Sequence, residues 1–160
     1  MRKLLLALLL AALSASCWAL EAGDRAPDFK LMSVDGVETT LGDLMGKRSL
    51  LLDFGSVFCA NCQSALSLLS DVAQECDSGK LKVAAINVDA PNSAKAVRAV
   101  IQGLSPGYRV LLDGEGVVAA AYGVTQIPYV VLIDETGTVR AVHTGPLSEL
   151  RKMIYGLCAP

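Results

Sequence analysis

The sequence predicts a single α/β domain built on a mainly parallel β-sheet. Apolar runs typical of buried strands alternate along the chain with segments whose apolar residues recur at helical spacing. That alternation is typical of parallel sheets with crossover helices. Late in the chain, two strands at 129–133 and 139–143 flank a turn containing Gly137, which adds antiparallel strands at one side.

The first part of the chain is predicted to be a β-hairpin followed by a buried strand. Two short β-prone segments, 29–32 and 37–40, flank Asp35–Gly36, a pair typical of tight hairpin turns. Residues 41–44 predict one helical turn, closed by Gly46. The next segment, 49–54, is a continuous apolar run interrupted only by Asp53, which predicts a buried strand.

From Cys59 the apolar spacing changes to that of a helix. Apolar residues recur at three and four positions, with polar residues between them, up to a helix end before Gly79. The remaining elements are predicted to be a strand at 82–88, a helix at 93–101 capped by Asn92 or Ser93, a strand at 109–112, a helix at 117–122, the hairpin, and a last helix at 147–157.

The first 19 residues have the pattern of a secretory signal peptide. Arg2 and Lys3 precede an unbroken run of Leu and Ala at 4–13, and small residues follow. We predict cleavage after Ala19, which leaves residues 20–160 as one periplasmic or extracytoplasmic domain of ordinary size. Two alternatives stay open, an uncleaved membrane anchor and a lipid on Cys17.

Charge and cysteine content narrow the function classes. Without Arg2 and Lys3 the chain has 12 basic and 16 acidic residues, a formal charge of −4, and no basic cluster. We therefore expect no nucleic-acid partner, and we expect a monomer. The exported part keeps an even number of cysteines, and disulfides persist outside the cytoplasm, so two pairs are predicted. These cysteines are Cys59, Cys62, Cys76 and Cys158.

The Cys59–Ala60–Asn61–Cys62 segment lies where a predicted strand gives way to a helix. A thiol at a helix N-terminus faces unpaired backbone N–H groups, which favour the reactive thiolate. Cys62, one turn further on, is placed to resolve a mixed disulfide formed at Cys59. A zinc site needs four ligands, and the chain has no second CxxC and only one His, His143, while a structural bridge would close too small a loop to stabilise much. The pattern therefore predicts redox chemistry that needs neither metal nor cofactor.

Three segments resemble the thioredoxin superfamily, in particular its TlpA/ResA-like (redoxin, AhpC/TSA-like) branch. They are Leu52 to Cys62, the lead-in at 23–29 with 41–47, and Gly123 to Pro128 followed by 131–134. The resemblance covers about 23–157. It implies a thioredoxin fold, with a central mixed sheet flanked by helices and an N-terminal β-hairpin extension. It also implies a thiol-disulfide oxidoreductase acting on protein thiols and disulfides, with a membrane electron donor of the DsbD/CcdA type.

The resemblance assigns roles to two further residues. It implies a cis bond between Ile127 and Pro128 beside Cys59, where the missing N–H leaves an edge free for a partner's backbone. It also implies that Asp53 is a buried acid whose pKa is raised, placed to take a proton from Cys62. A proline that merely starts a strand, and an Asp53 that faces water, stay open as alternatives.

Four positions depart from the family pattern. Phe58 occupies the position of the usual Trp and Asn61 that of the common Pro. Ala65 replaces a frequent Glu, and Ser67 replaces a helix-kinking Pro. Residues around the cysteines set the stability of the thiolate. The family's redox potential and partners therefore do not transfer to this chain.

The thioredoxin fold also implies a position for the other two cysteines. Cys76 and Cys158 both follow helices that pack on one sheet face, so we predict a structural disulfide between them. In the entropic account of cross-links it contributes about 4 to 5 kcal/mol at most. Two inert thiols, or one thiol acting as an electron relay, are the alternatives.

The leading interpretation is a reductase or interchange protein for other exported proteins. A peroxiredoxin-like peroxidase is a second class. That chemistry requires a Thr three residues before the reactive Cys, and this chain has Ser56 at that position. A non-catalytic copper(I)-binding or partner-binding module is the third, but the methionines are scattered. We assign no role to the single histidine, His143.

Overall fold

The structure, a computed structural model, describes residues 20–75, 79 and 81–158. These residues form a seven-stranded mixed sheet with helices on both faces, and this confirms the predicted fold class. The strands are β1 (Lys30–Ser33), β2 (Glu38–Thr40), β3 (Ser49–Gly55), β4 (Leu81–Asn87), β5 (Arg109–Leu112), β6 (Tyr129–Ile133) and β7 (Val139–His143). The helices are α1 (Leu41–Met45), α2 (Ala60–Glu75), α3 (Ala94–Leu104), α4 (Val117–Ala121) and α5 (Leu147–Cys158).

The strand order is β2-β1-β5-β4-β3-β6-β7. The three strands β3, β4 and β5 are parallel, while the hairpin β1–β2 and the pair β6–β7 join them antiparallel at either side. The carboxyl ends of β3, β4 and β5 therefore meet at one edge, which is where α/β sheets place their functional groups.

Strand β3 lies at the centre of the core, between β4 and β6. Leu50, Leu52 and Phe54 face α1 and α4, and Phe54 stacks on Tyr122 with ring centroids 5.1 Å apart. Leu51 faces the other side, where α2 and α5 pack against it. Because side chains alternate along a strand, Asp53 lies on the same face as Leu51, under α2.

Local signals explain most element ends. The predicted helical turn at 41–44 is confirmed as α1, where Thr40 and Asp43 form a capping box and Gly46 adopts a left-handed conformation with φ 51°. Ser93, one of the two residues predicted to cap α3, is the N-cap residue of that helix. A 3₁₀ turn at Pro91–Ser93 precedes it, so Ser93 is already near-helical and its side chain makes no cap hydrogen bond.

Two predictions lie outside the described residues. The leader, 1–19, is one of them. The Cys76–Cys158 bridge is the other, because Cys76 and the side chain of Cys158 are not described. Among the described residues, no helix combines the length and apolarity needed to cross a membrane.

Candidate active site

The two cysteines of the CxxC segment lie at the carboxyl edge of the sheet. β3 ends at Gly55, a short loop follows, and α2 begins at Ala60. Cys59 and Cys62 are joined as a disulfide, with their Cα atoms 5.2 Å apart. Cys59 is half-buried, whereas Cys62 is fully buried. A disulfide of another protein can therefore approach the sulfur of Cys59 but not that of Cys62.

Cys59 occupies the N-cap position of α2. Its carbonyl accepts the first helical hydrogen bond from the Gln63 N–H, at 3.0 Å, and its sulfur accepts the Cys62 N–H at 3.2 Å. Both the N–H and the positive end of the helix favour negative charge on that sulfur. The position thus stabilises the thiolate that attacks disulfides.

Asp53 lies beneath Cys62 and is fully buried. Neither carboxyl oxygen has a hydrogen-bond partner among the described residues. Burial raises the pKa of Asp53 to about 7, because the charged form loses its hydration without gaining a partner. Such a carboxyl can take up and release a proton near neutral pH.

Gly55 keeps the space between the carboxyl and the buried sulfur open. A Cβ at this position would lie 3.7 Å from both Asp53 Oδ2 and Cys62 Sγ, and only 3.2 Å from Cys62 Cβ. A side chain here would push against Cys62, so the glycine permits the close approach of β3 and α2. Sequence analysis did not single out this residue.

Asp89, which follows β4, holds the loop in front of Cys59. It accepts hydrogen bonds from the Ser56 hydroxyl at 2.6 Å, the Val57 N–H at 3.0 Å and the Asn87 amide at 2.7 Å. The Ser56 oxygen in turn accepts the Phe58 N–H at 3.0 Å. Sequence analysis missed this cluster, because a loop Asp 30 or so positions from its partners carries no local signal.

Tyr108 ties α2 to the segment before β5. Its hydroxyl donates to the Leu66 carbonyl at 3.1 Å. Burial raises the pKa of Tyr108 well above its usual value, and the nearby Asp53 carboxylate adds to the effect. Tyr108 therefore stays neutral, and it was not identified from the sequence.

Pro128 and Phe58 flank the cysteines at the same edge. The Ile127–Pro128 bond is cis, and β6 begins immediately afterwards with Tyr129 paired to Phe54, next to the end of β3. Phe58 exposes 66% of its surface. No charged residue occurs between Ser56 and Gln63, so the loop before α2 and the first turn of α2 themselves offer an uncharged, partly apolar contact surface.

His143, which could serve as a metal ligand, lies on β7, two strands away from β3 in the sheet. His143 ends β7, and its Nε2 lies 3.2 Å from the Pro146 carbonyl oxygen. Within the described part of the chain, no three His, Cys, Asp or Glu side chains cluster as metal ligands would.

Comparison with known proteins places the chain in a family. The profile of the AhpC/TSA family matches residues 22–142. Thioredoxin-like protein YneN of Bacillus subtilis is 30% identical over 131 residues, covering 81% of this chain and 75% of that protein. Thiol-disulfide oxidoreductase ResA of Geobacillus thermodenitrificans is 30% identical over 157 residues, covering 93% and 88%.

Solved structures agree with this placement. A putative thiol:disulfide interchange protein DsbE from Chlorobium tepidum superposes with a TM-score of 0.77 and 26% identity, over 88% of this chain and 100% of that one. The fold, the Cys59–Cys62 pair and these relatives together show that the chain belongs to the AhpC/TSA family, among its ResA-like thiol-disulfide oxidoreductases.

Proposed function

We propose that this protein is exported and reduces or exchanges disulfides of other extracytoplasmic proteins through Cys59 and Cys62. The observation that carries the proposal is the asymmetry of the pair. Cys59 is half-buried and its sulfur accepts the Cys62 N–H, while Cys62 is fully buried one helical turn behind it. That arrangement suits an attacking thiolate and a resolving thiol.

The reaction runs in two exchange steps. The Cys59 thiolate attacks one sulfur of the partner's disulfide, forming a mixed disulfide and releasing the partner's other sulfur as a thiolate. Cys62 then gives up its proton and attacks the Cys59 sulfur, which expels the second partner thiolate. The protein ends as the Cys59–Cys62 disulfide and the partner as a dithiol, so two electrons pass to the partner.

Asp53 acts as the base for Cys62 in the second step. The buried Cys62 thiol has no route to bulk water of its own, and the gap left by Gly55 joins it to the Asp53 carboxyl. A base with a pKa near 7 matches a thiol well enough to accept its proton at neutral pH.

The substrates and the electron donor are expected to dock at the partly apolar surface around Phe58 and Pro128. Proline offers no N–H there, so an extended partner segment meets a free edge. Reduction of the Cys59–Cys62 disulfide would come from a membrane electron donor of the DsbD/CcdA type. The leader at 1–19 would direct the domain 20–160 to the compartment where such disulfides form.

Insulin reduction with dithiothreitol tests the activity. We expect the rate of insulin reduction by Cys59→Ser to fall at least about a thousandfold, because the attacking sulfur is lost and Cys62, the other cysteine whose side chain the structure describes, is fully buried. Cys62→Ser should instead accumulate a mixed disulfide at Cys59, detected by mass. Insulin reduction that persists in Cys59→Ser would contradict the proposed function.

We further propose the Cys76–Cys158 disulfide as a structural cross-link. Its support lies in the described residues next to it, since the Tyr155 hydroxyl donates to Glu75 Oε2 at 2.7 Å and so joins the distal ends of α5 and α2. Alkylation followed by peptide mass analysis should find both thiols blocked in the oxidised protein. Two freely alkylated thiols would contradict the bridge.

A further inference from the structure

A small cavity adjoins Asp53 on the face covered by α2 and α3. Its volume is about 10 Å³, close to what a single water molecule requires. Most of its wall is aliphatic, and Ala85, which pairs with Asp53 across β3 and β4, leaves the space open. The polar groups on the wall are Asp53, Ser56 and Asn87.

These polar groups give a water molecule suitable partners. The Asp53 carboxyl is fully buried and has no partner among the described residues. The Ser56 oxygen accepts the Phe58 N–H and donates to Asp89, which leaves one lone pair unused. The Asn87 amide donates one of its two N–H bonds to Asp89. A water with two to four polar partners is stable in such a cavity.

A continuous polar path leads from the cavity to the surface. The Ser56 hydroxyl donates to Asp89 Oδ1 at 2.6 Å, and Asp89 is half-buried at the surface. Asn87 holds the other carboxylate oxygen of Asp89 at 2.7 Å. A hydroxyl that accepts from a water and donates to a carboxylate can pass on a proton, because it gains one proton as it loses another.

We propose that the cavity binds one water molecule and that this water, Ser56 and Asp89 form the proton path between Asp53 and solvent. The path rests on the proposed role of Asp53 as base for Cys62. The proton that Cys62 gives to Asp53 passes to the water, the water passes a proton to the Ser56 oxygen, and the original Ser56 proton passes to Asp89. Asp89 then releases it to bulk water, which restores every group to its starting state.

Within the described parts of the chain, few titratable groups surround Asp53. Cys62 faces it from α2, Tyr108 from the segment before β5, and Asp89 lies beyond Ser56 after β4. The strand on its other side, β6, presents Val130, and α3 presents Ile101 at the cavity. Tyr108 stays neutral over the pH range tested below, so the pH dependence reports Asp53 with the cysteines.

The test follows the resolution step in a stopped-flow instrument. Reduced full-length protein is mixed with excess chromogenic aryl disulfide, whose first thiolate reports attack by Cys59 and whose second reports resolution by Cys62. With the Asp53 pKa at about 7, roughly one tenth of the molecules carry an ionised Asp53 at pH 6 and roughly nine tenths at pH 8. At pH 6 the others must lose the Asp53 proton before Cys62 can react.

Ser56→Ala should split the second thiolate release at pH 6 into two phases. A fast phase of about one tenth of the amplitude comes from molecules with ionised Asp53, and the rest follows at least about tenfold more slowly than in the unmodified protein. Added imidazole, a small proton carrier, should speed the slow phase. At pH 8 about nine tenths of the amplitude should follow in the fast phase, since few molecules need the path.

Three further variants make the test decisive. Ser56→Thr keeps a hydroxyl and should restore a single phase. Ser67→Ala removes an exposed serine hydroxyl on α2, bonded only to its own helix, and should behave as the unmodified protein. Asp89→Asn removes the carboxylate that takes up the proton at the end of the path, and it should give the same two phases. This variant keeps the proposal testable should Ser56→Ala not fold.

The outcomes separate the path from the base. A single phase at the unmodified rate in Ser56→Ala at pH 6 would overturn the path, and so would equal slowing at pH 6 and pH 8 with no response to imidazole. If Asp53→Asn also resolved at the unmodified rate, the role of Asp53 itself would fail. If Asp53→Asn is slow and Ser56→Ala is not, only the path is wrong.

Discussion

Two buried aspartates in this protein show opposite behaviour. Asp53, near the end of β3, has no exposed surface and no hydrogen-bond partner among the described residues. Asp134, in the β6–β7 turn, is almost as buried, with 6% exposed. Its Oδ1 accepts hydrogen bonds from the Thr136 hydroxyl at 2.6 Å and the Thr138 N–H at 3.0 Å, and its Oδ2 forms an ion pair with Arg140 at 2.7 Å.

The difference in partners decides the pKa of each carboxyl. Burial alone raises the pKa of Asp53 to about 7, whereas hydrogen bonds, from the Thr136 hydroxyl first, lower the pKa of Asp134 to about 2. Asp134 is therefore a permanent anion that shapes a turn. Asp53 changes its charge near neutral pH, as the proposed proton transfer from Cys62 requires.

The largest expected effect is on stability at alkaline pH. The folded protein binds the Asp53 proton more tightly than the unfolded chain, so the pH-dependent cost of burying Asp53 is zero below about pH 4, rises up to about pH 7 and is constant above. Asp53→Asn should raise the free energy of unfolding at pH 8 by up to about 4 kcal/mol. Urea unfolding at pH 4 and pH 8 measures the change, and equal effects at both values would contradict this assignment.

The second effect is on the resolution rate. Asp53→Asn should slow the release of the second thiolate about a hundredfold at pH 8, since the base for Cys62 is lost. Attack by Cys59 should change far less. Asp134→Asn is the matched control and should leave both steps unchanged. Equal rates in the two variants would remove the functional distinction between the carboxyls.

Gly55→Ala should have a smaller effect on the same step. The added Cβ lies 3.2 Å from Cys62 Cβ and between the sulfur and the Asp53 carboxyl, so Cys62 must shift. We expect the resolution rate to fall about tenfold. Gly103→Ala, in the exposed part of α3 with no atom within 4 Å of the new Cβ, serves as the control and should leave the rate unchanged.

The smallest effect is expected at the turn. Asp134→Asn should lower the thermal midpoint by several degrees at pH 7, because the amide keeps an oxygen for Thr136 and Thr138 but loses the charge that strengthens those hydrogen bonds and the ion pair with Arg140. The contribution of Asp134 is present above pH 4 and is lost as the pH falls through about 2, so calorimetry should show the two proteins converging near pH 2. A constant difference down to pH 2 would contradict the structural role.

The sequence predicted the fold and the reactive pair because their signals are local. Apolar periodicity, Asp35–Gly36 and the CxxC segment each lie within a few residues, and Asp53 was noticeable as the one charge in an apolar run. The Ser56–Asp89 bond and the Gly55–Cys62 contact depend on how β3, β4 and α2 pack. Such contacts between distant segments arise only from the tertiary structure, so the residue pattern did not reveal them.

Titration of Asp53 by carboxyl ¹³C NMR tests the central claim most directly. In the oxidised protein the Cys59–Cys62 disulfide does not titrate, so the Asp53 signal reports its own proton. The account predicts a midpoint near pH 7 for Asp53 beside one near pH 2 for Asp134. A midpoint for Asp53 near 4, the ordinary value for an aspartate, would contradict it.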